Sequence, residues 1–235
     1  MSETTNLKLP FLSPSQAQKH VTVNEALARI DAVVQLTAAS RSISTPPAGP
    51  LEGESYLVAT GGSDAWLGAD GEFASFINGG WHFVSPLKGW RLWVEDEAAS
   101  LVFDGTNWRS NVLAQAPSGA AMRAEIIEFH HVFSGGGGSE DTSVVIPAQT
   151  CVWGVTGRVL SEIAGGLSDW SLGVAGSDDR YGSGLGTGTG AWLRGLTGQP
   201  VTYYEDTPLR LTANGGAFAS GTVRLCINLI RFDLP

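Results

Sequence analysis

The sequence predicts a mainly β chain: a short N-terminal helix, a small Trp-rich antiparallel β domain built on a 27-residue repeat, and a C-terminal β-sandwich resembling a jelly roll. Three observations carry this reading. One apolar stripe with helical spacing lies before a proline-rich break. Two units ending in Phe-x4-Trp follow it. Seven runs rich in β-branched and aromatic residues then occupy the last half of the chain. The implied organisation is a helical segment over 1–44, a small β domain over 45–111, a linker over 112–122 and a sandwich over 123–235.

Ser13-Pro14 is a helix-start pair, with Ser as cap and Pro at the first helical position. Beyond it, Val23, Leu27, Ile30, Val34 and Thr37 keep a 4-3-4-3 spacing, and Val23, Ala26, Ile30 and Val33 overlap them. This is a narrow seam of the kind that joins one helix to another. A helix this short depends on packing, either on its own domain or on sister chains. Val23, Leu27, Ile30 and Val34 are the oligomerisation candidates. TPPAGP at 45–50 stops the helix and marks a linker.

A shift of 27 residues places Gly62 on Gly89, Trp66 on Trp93, Phe76 on Phe103 and Trp81 on Trp108. FINGGW and FDGTNW carry Asn-Gly and Asp-Gly between aromatic runs, the signal for tight hairpins whose turn positions need positive φ. The expectation is two hairpins in one small sheet, with the repeated tryptophans in its core. An exposed sugar-stacking surface is the alternative. Trp90 has Ser63 at its equivalent position, so it is the candidate exposed aromatic of this domain.

Residues 123–235 hold AEIIEFHHVF, TSVVI, CVWGVTGRVL, WSLGVA, VTYYE, LRLTA and VRLCINLIRF, separated by turn formers. In the last of these, Val223, Leu225, Ile227 and Leu229 share one face, and Arg224 and Asn228 the other. Many short strands without a helical period point to a sandwich.

Charge excludes several functions. The 14 basic and 23 acidic side chains give −9 overall, divided 7 to 12 over residues 1–120 and 7 to 11 over 121–235. Neither half offers a track for nucleic-acid phosphates. No apolar run approaches a membrane span, and the start lacks a secretory pattern. Cys151 and Cys226 stand 75 residues apart without a CxxC pair; they read as small strand hydrophobes, with a disulfide as the other possibility.

Catalytic and cofactor motifs fail one by one. The glycines at 182, 184, 186, 188 and 190 recur every second residue and match neither a dinucleotide fingerprint nor a P-loop. They read as a loop, flexible or closely packed. His20, His82, His130 and His131 lack metal-ligand spacing, and the last two fall on opposite faces of one strand. Asp169, Asp178, Asp179, Glu205 and Asp206 read as surface carboxylates, and the Asp178-Asp179 pair is too short for a calcium loop. The chain is expected to be non-enzymatic, without cofactor or metal.

Residues 9–36, LPFLSPSQAQKHVTVNEALARIDAVVQL, resemble the opening of an alphaproteobacterial family of phage and gene-transfer-agent proteins, with the pattern LPxLxPSQAQKHVTxNEALxxLDxxVQL. ESYLVA, AWLGADGEFASFINGGWHFVSPLKGW and FDGTNW continue the likeness. The tail, with GVAGSDDRYGSGLG and TYYEDTPLRLTANGGAF, is similar to β domains attached in such proteins. Val23 departs from it, where relatives often carry His. The resemblance implies a virion head spike or tail fibre, made in a bacterial cytoplasm and carried on the particle. Its N-terminal segment would join other virion proteins or sister chains, in a homotrimer. Its sandwich would bind host capsular polysaccharide, through aromatic faces and planar polar groups. The resemblance assigns no residue to the sugar; residue type and loop position in this sequence give as candidates Trp170, Trp192, Tyr181, Tyr203 and Tyr204, with Asp178, Asp179 and Arg180. A purely structural connector is the second reading and a glycan depolymerase the third.

Overall fold

The computed structural model describes Glu3, Thr4, Leu9, Phe11 and residues 19–235. The chain divides into two units, Met1–Val112 and Leu113–Pro235, each with its own core.

In the first unit, helix α1 runs Lys19–Val33; the expected Ser13-Pro14 start lies outside the described residues. The helix turns Ala28, Asp31 and Ala32 inward, and Ala32 joins a core with Leu36, Ala38, Leu57, Phe73 and Leu92. Asp31 accepts a hydrogen bond from Thr4 Oγ1 at 2.8 Å. The helix is therefore part of this unit and not a separate segment over 1–44. It docks through its small face, leaving Val23, Ile30 and Val34 exposed and Leu27 half-buried. TPPAGP is likewise an internal loop, held where the Thr45 and Ser63 hydroxyls meet at 2.8 Å and Ala59 N–H reaches Ile43 O at 3.1 Å.

Strands β1 (Thr37–Ala38), β2 (Ser55–Leu57), β3 (Phe73–Ile77), β4 (Gly80–Val84), β5 (Arg91–Val94), β6 (Ala99–Phe103) and β7 (Trp108–Ser110) form two sheets where one was expected. Their orders are β2-β3-β4 and β1-β5-β6-β7, with β1 joining β5 in parallel. The repeat is a repeat of cross-strand pairs. Phe76 stands opposite Trp81 with ring centroids 5.3 Å apart, and Phe103 opposite Trp108 at 5.2 Å. Such pairs are the unit of sheet stabilisation.

The two turns differ. Asn78 and Gly79 close the first hairpin with φ of 53° and 75°, the left-handed pair that a two-residue turn demands. We expect Gly79→Ala to cost this unit about 1 kcal/mol in urea denaturation, the order of an L-residue's penalty in that region. Gly80→Ala, with open space at its Cβ and no positive φ, should cost nothing. Asp-Gly instead opens a four-residue turn, Asp104–Asn107. The Asp104 carboxylate bonds Arg109 Nε at 2.6 Å and accepts Asn107 and Thr106 N–H at 2.8 and 2.9 Å, which hold its pKa down to about 2.

Of three tryptophans, one agrees with the repeat reading and two correct it. Trp66 sits on a 3-10 turn, Asp64–Trp66, and is fully buried against Tyr56 and Trp81. Its equivalent Trp93 is 45% exposed, because β5 turns Leu92 and Val94 inward and alternation sends Trp93 out. Trp90, expected on the surface, is half-buried against the core.

In the second unit, β8 (Val112–Gln115) and β9 (Ala121–Val132) occupy the stretch expected as a linker. They are followed by β10 (Ser139–Ile146), β11 (Thr150–Gly165), β12 (Asp169–Val174), β13 (Ser177–Leu185), β14 (Trp192–Tyr203), β15 (Thr207–Asn214) and β16 (Phe218–Asp233). One sheet has the order β14-β11-β16-β9-β8 and the other β10-β15-β12-β13. Counting β9 to β16 as first to eighth, the sheets read first-eighth-third-sixth and second-seventh-fourth-fifth. That is the strand order of a jelly roll. Between the sheets lies a core that includes Ile146, Val155, Leu172, Leu211, Leu225 and Ile227.

Candidate functional site

Alternation along β11, β14 and β16 decides which side chains the sandwich needs and which it offers to solvent. Val155, Val159, Leu193, Val223 and Leu225 point inward. The residues between them form the outer face of the five-stranded sheet. There Trp192 pairs in register with Arg158, Arg158 with Arg224, and Arg224 with His130. In the next row Arg194, Thr156, Cys226 and Glu128 are neighbours. The Arg194 guanidinium carbon lies 5.8 Å from the centre of the Trp192 ring, a cation–π contact. Arg224 Nε donates to His130 Nε2 at 3.0 Å and lies 3.6 Å from Glu128 Oε1. Trp192 remains 66% exposed.

The sequence-predicted sugar contacts separate into core and surface. Trp170 is 1% exposed, with its indole N–H donating to Gly186 O at 3.1 Å. Tyr181, at 2%, shares a 2.7 Å hydroxyl hydrogen bond with the buried Tyr203, and burial first, then that bond, pushes its phenol well above the ordinary range. These three fill the space between the sheets and present no ring face to a ligand. Residue type and nearness to turns marked them, but strand parity turns them inward. Trp192 and Tyr204, 66% and 72% exposed, do face solvent.

Asp178, Asp179 and Arg180 lie exposed on β13. Asp178 is close enough to Arg210 of β15 to favour its charge. They therefore belong to the four-stranded sheet, whereas Trp192 belongs to the five-stranded one. Gly182 and Gly184, read as loop residues, are strand positions in β13. Cys151 and Cys226 are both free and half-buried, on adjacent strands but not opposite one another. Among the described residues, no three His, Cys, Asp or Glu side chains gather as metal ligands, and no helix is long and apolar enough to cross a membrane.

The sequence offers Trp192 with Arg194 beside it on one flank of the glycine run, but not Arg158 and Arg224 as its neighbours. The signal was present in part: the alternation of 223–229 already puts Arg224 on the face away from the core. The pairing of β11 between β14 and β16, which gathers the three arginines, has no local signature.

Residues 23–109 match a family model described as "Protein of unknown function (DUF2793)". No curated protein matches the chain. Among solved structures, a chain of the cyanophage Pam1 capsid asymmetric unit is similar at 23% identity, covering 51% of this chain and 92% of that one, with a TM-score of 0.39.

Proposed function

We propose that the protein is a non-enzymatic fibre or spike adhesin of a phage or gene transfer agent, binding polysaccharide on the host surface. The observation that carries the binding part is the exposure of Trp192 and Tyr204 on a jelly roll whose core is complete without them. Burying a large aromatic is favourable; two left in water beside polar groups are available to a sugar ring. The resemblance of residues 9–36 supplies the particle setting. In this reading the exposed Val23 and Ile30 of α1, with Val34 just beyond its end, meet sister chains or another virion protein, giving a homotrimer. Display of several copies then makes weak sugar contacts avid.

The same exposed helix positions favour a second reading, a structural connector that binds no glycan. Pull-down of the purified oligomer by encapsulated alphaproteobacteria and their capsule-free mutants separates the two. Retention by encapsulated cells alone is the expected result. Equal retention by both, or none by an intact oligomer, overturns the adhesin and leaves the connector.

A further inference from the structure

The second unit carries its positive charge unevenly. Its seven basic residues are all arginines. Arg123, Arg210 and Arg231 are neutralised by Asp233, Asp141 and Glu125 at 2.9, 2.7 and 2.5 Å. Arg158, Arg194 and Arg224 instead occupy neighbouring positions on the outer face of the five-stranded sheet, while the seventh, Arg180, stands on β13 of the other sheet. Among the described residues Arg158 and Arg194 have no carboxylate partner, and Arg224 has only the exposed Glu128 at 3.6 Å. Arg158 and Arg224 are directly opposed across the β11–β16 ladder. Like charges opposed in this way destabilise a sheet. In a chain of net charge −9 such a cluster is not required for solubility or folding.

The arrangement has the chemistry of an anion receptor with a ring platform. Each guanidinium is a rigid fork that matches a carboxylate with two parallel hydrogen bonds. The indole of Trp192, directly opposite Arg158, offers an apolar plane beside those forks. A sugar ring carrying a carboxylate satisfies both at once: the pyranose face lies on the indole and the carboxylate enters among the arginines. A neutral sugar would leave the arginines unpaired, and a polyanion without a ring face would leave the indole bare.

From this we infer that the Trp192–Arg158–Arg194–Arg224 face of the jelly roll is a binding site for carboxylated polysaccharide, that is, for uronic-acid chains. The inference rests on the adhesin reading and names its ligand class.

Biolayer interferometry with the full-length oligomer tests it against immobilised polygalacturonate, its carboxyl-reduced product, dextran sulfate and duplex DNA. The expected result is binding to polygalacturonate that weakens at least tenfold on carboxyl reduction and falls as salt is raised. Trp192→Ala and the double change Arg158→Ala with Arg194→Ala should each weaken it about tenfold, the loss of one strong charged or stacking contact. Neither should lower the melting temperature, since these side chains are exposed. Glu128→Gln, which removes the one competing carboxylate, should tighten it. Failure of the wild-type oligomer to bind polygalacturonate overturns the inference. So does equal binding of dextran sulfate or DNA, or double-variant affinity within twofold of wild type. The pull-down distinguishes the two levels: capture of encapsulated cells by the double variant as well as wild type leaves an adhesin with its site elsewhere, whereas no capture by either removes the adhesin reading too.

Discussion

Trp66→Ala is expected to destabilise the first unit by about 3–5 kcal/mol, the range for truncating a fully buried tryptophan. Its ring lies 5.4 Å from that of Tyr56 and 5.1 Å from that of Trp81, the latter edge-on at 80°. Alanine removes these contacts and leaves a cavity between a turn and a three-stranded sheet, neither of which can close on it without losing strand register. The contribution is one of packing, because the buried indole N–H has no hydrogen-bond partner among the described residues. Domain stabilities run to about 5–15 kcal/mol, so the loss approaches the whole. Hydrogen exchange read by mass spectrometry on the full chain checks it unit by unit. Protection of β2, β3 and β4 should collapse while β11 and β16 stay protected. Trp93→Ala, at the equivalent repeat position, should cost under about 1 kcal/mol, since a surface change breaks no core contact. Equal losses at the two positions would restore the reading in which the repeat marks core residues.

That contrast shows which parts of the sequence are legible. Asn-Gly and Asp-Gly between aromatic runs predict two hairpins, and both form, because a hairpin is a local object whose register follows from its turn. The 27-residue shift does not predict burial for Trp66 and Trp93, because one occupies a 3-10 turn and the other a strand. Equal spacing is not equal environment. The helix illustrates the same limit. Apolar spacing selects Val23, Ile30 and Val34, yet the docked face holds Ala28, Asp31 and Ala32, whose small size and satisfied polar group carry little weight in a hydrophobic pattern. In the second unit, alternation within β16 places Arg224 outward correctly. Its gathering with Arg158 and Arg194 depends on long-range strand order, and no local rule supplies that.

Tyr181→Ala should destabilise the second unit by about 3–5 kcal/mol, and this bears directly on how binding data are interpreted. Tyr181 of β13 and Tyr203 of β14 belong to different sheets, and their buried hydroxyls meet at 2.7 Å across the core. The backbone beside them is equally close: a Cβ on Gly195 would stand 2.0 Å from Tyr181 O. Only a residue without a side chain lets β14 approach β13 there, so this edge of the sandwich closes on the tyrosine pair. Truncation opens a ring-sized void and leaves Tyr203 with an unpaired buried hydroxyl. Tyr181→Phe isolates the second effect, with an expected cost of about 1–3 kcal/mol. Chemical denaturation followed through the second unit's protected amides should rank the variants Ala, then Phe, then wild type. Trp192→Ala and Tyr204→Ala should be indistinguishable from wild type in the same measurement. Loss of adhesion in Tyr181→Ala would then report unfolding, whereas loss in Trp192→Ala with full stability would report a contact. If Tyr181→Ala instead kept wild-type stability and lost only sugar binding, the tyrosine pair would be a ligand platform and the assignment of Tyr181 and Tyr203 to the core would be wrong.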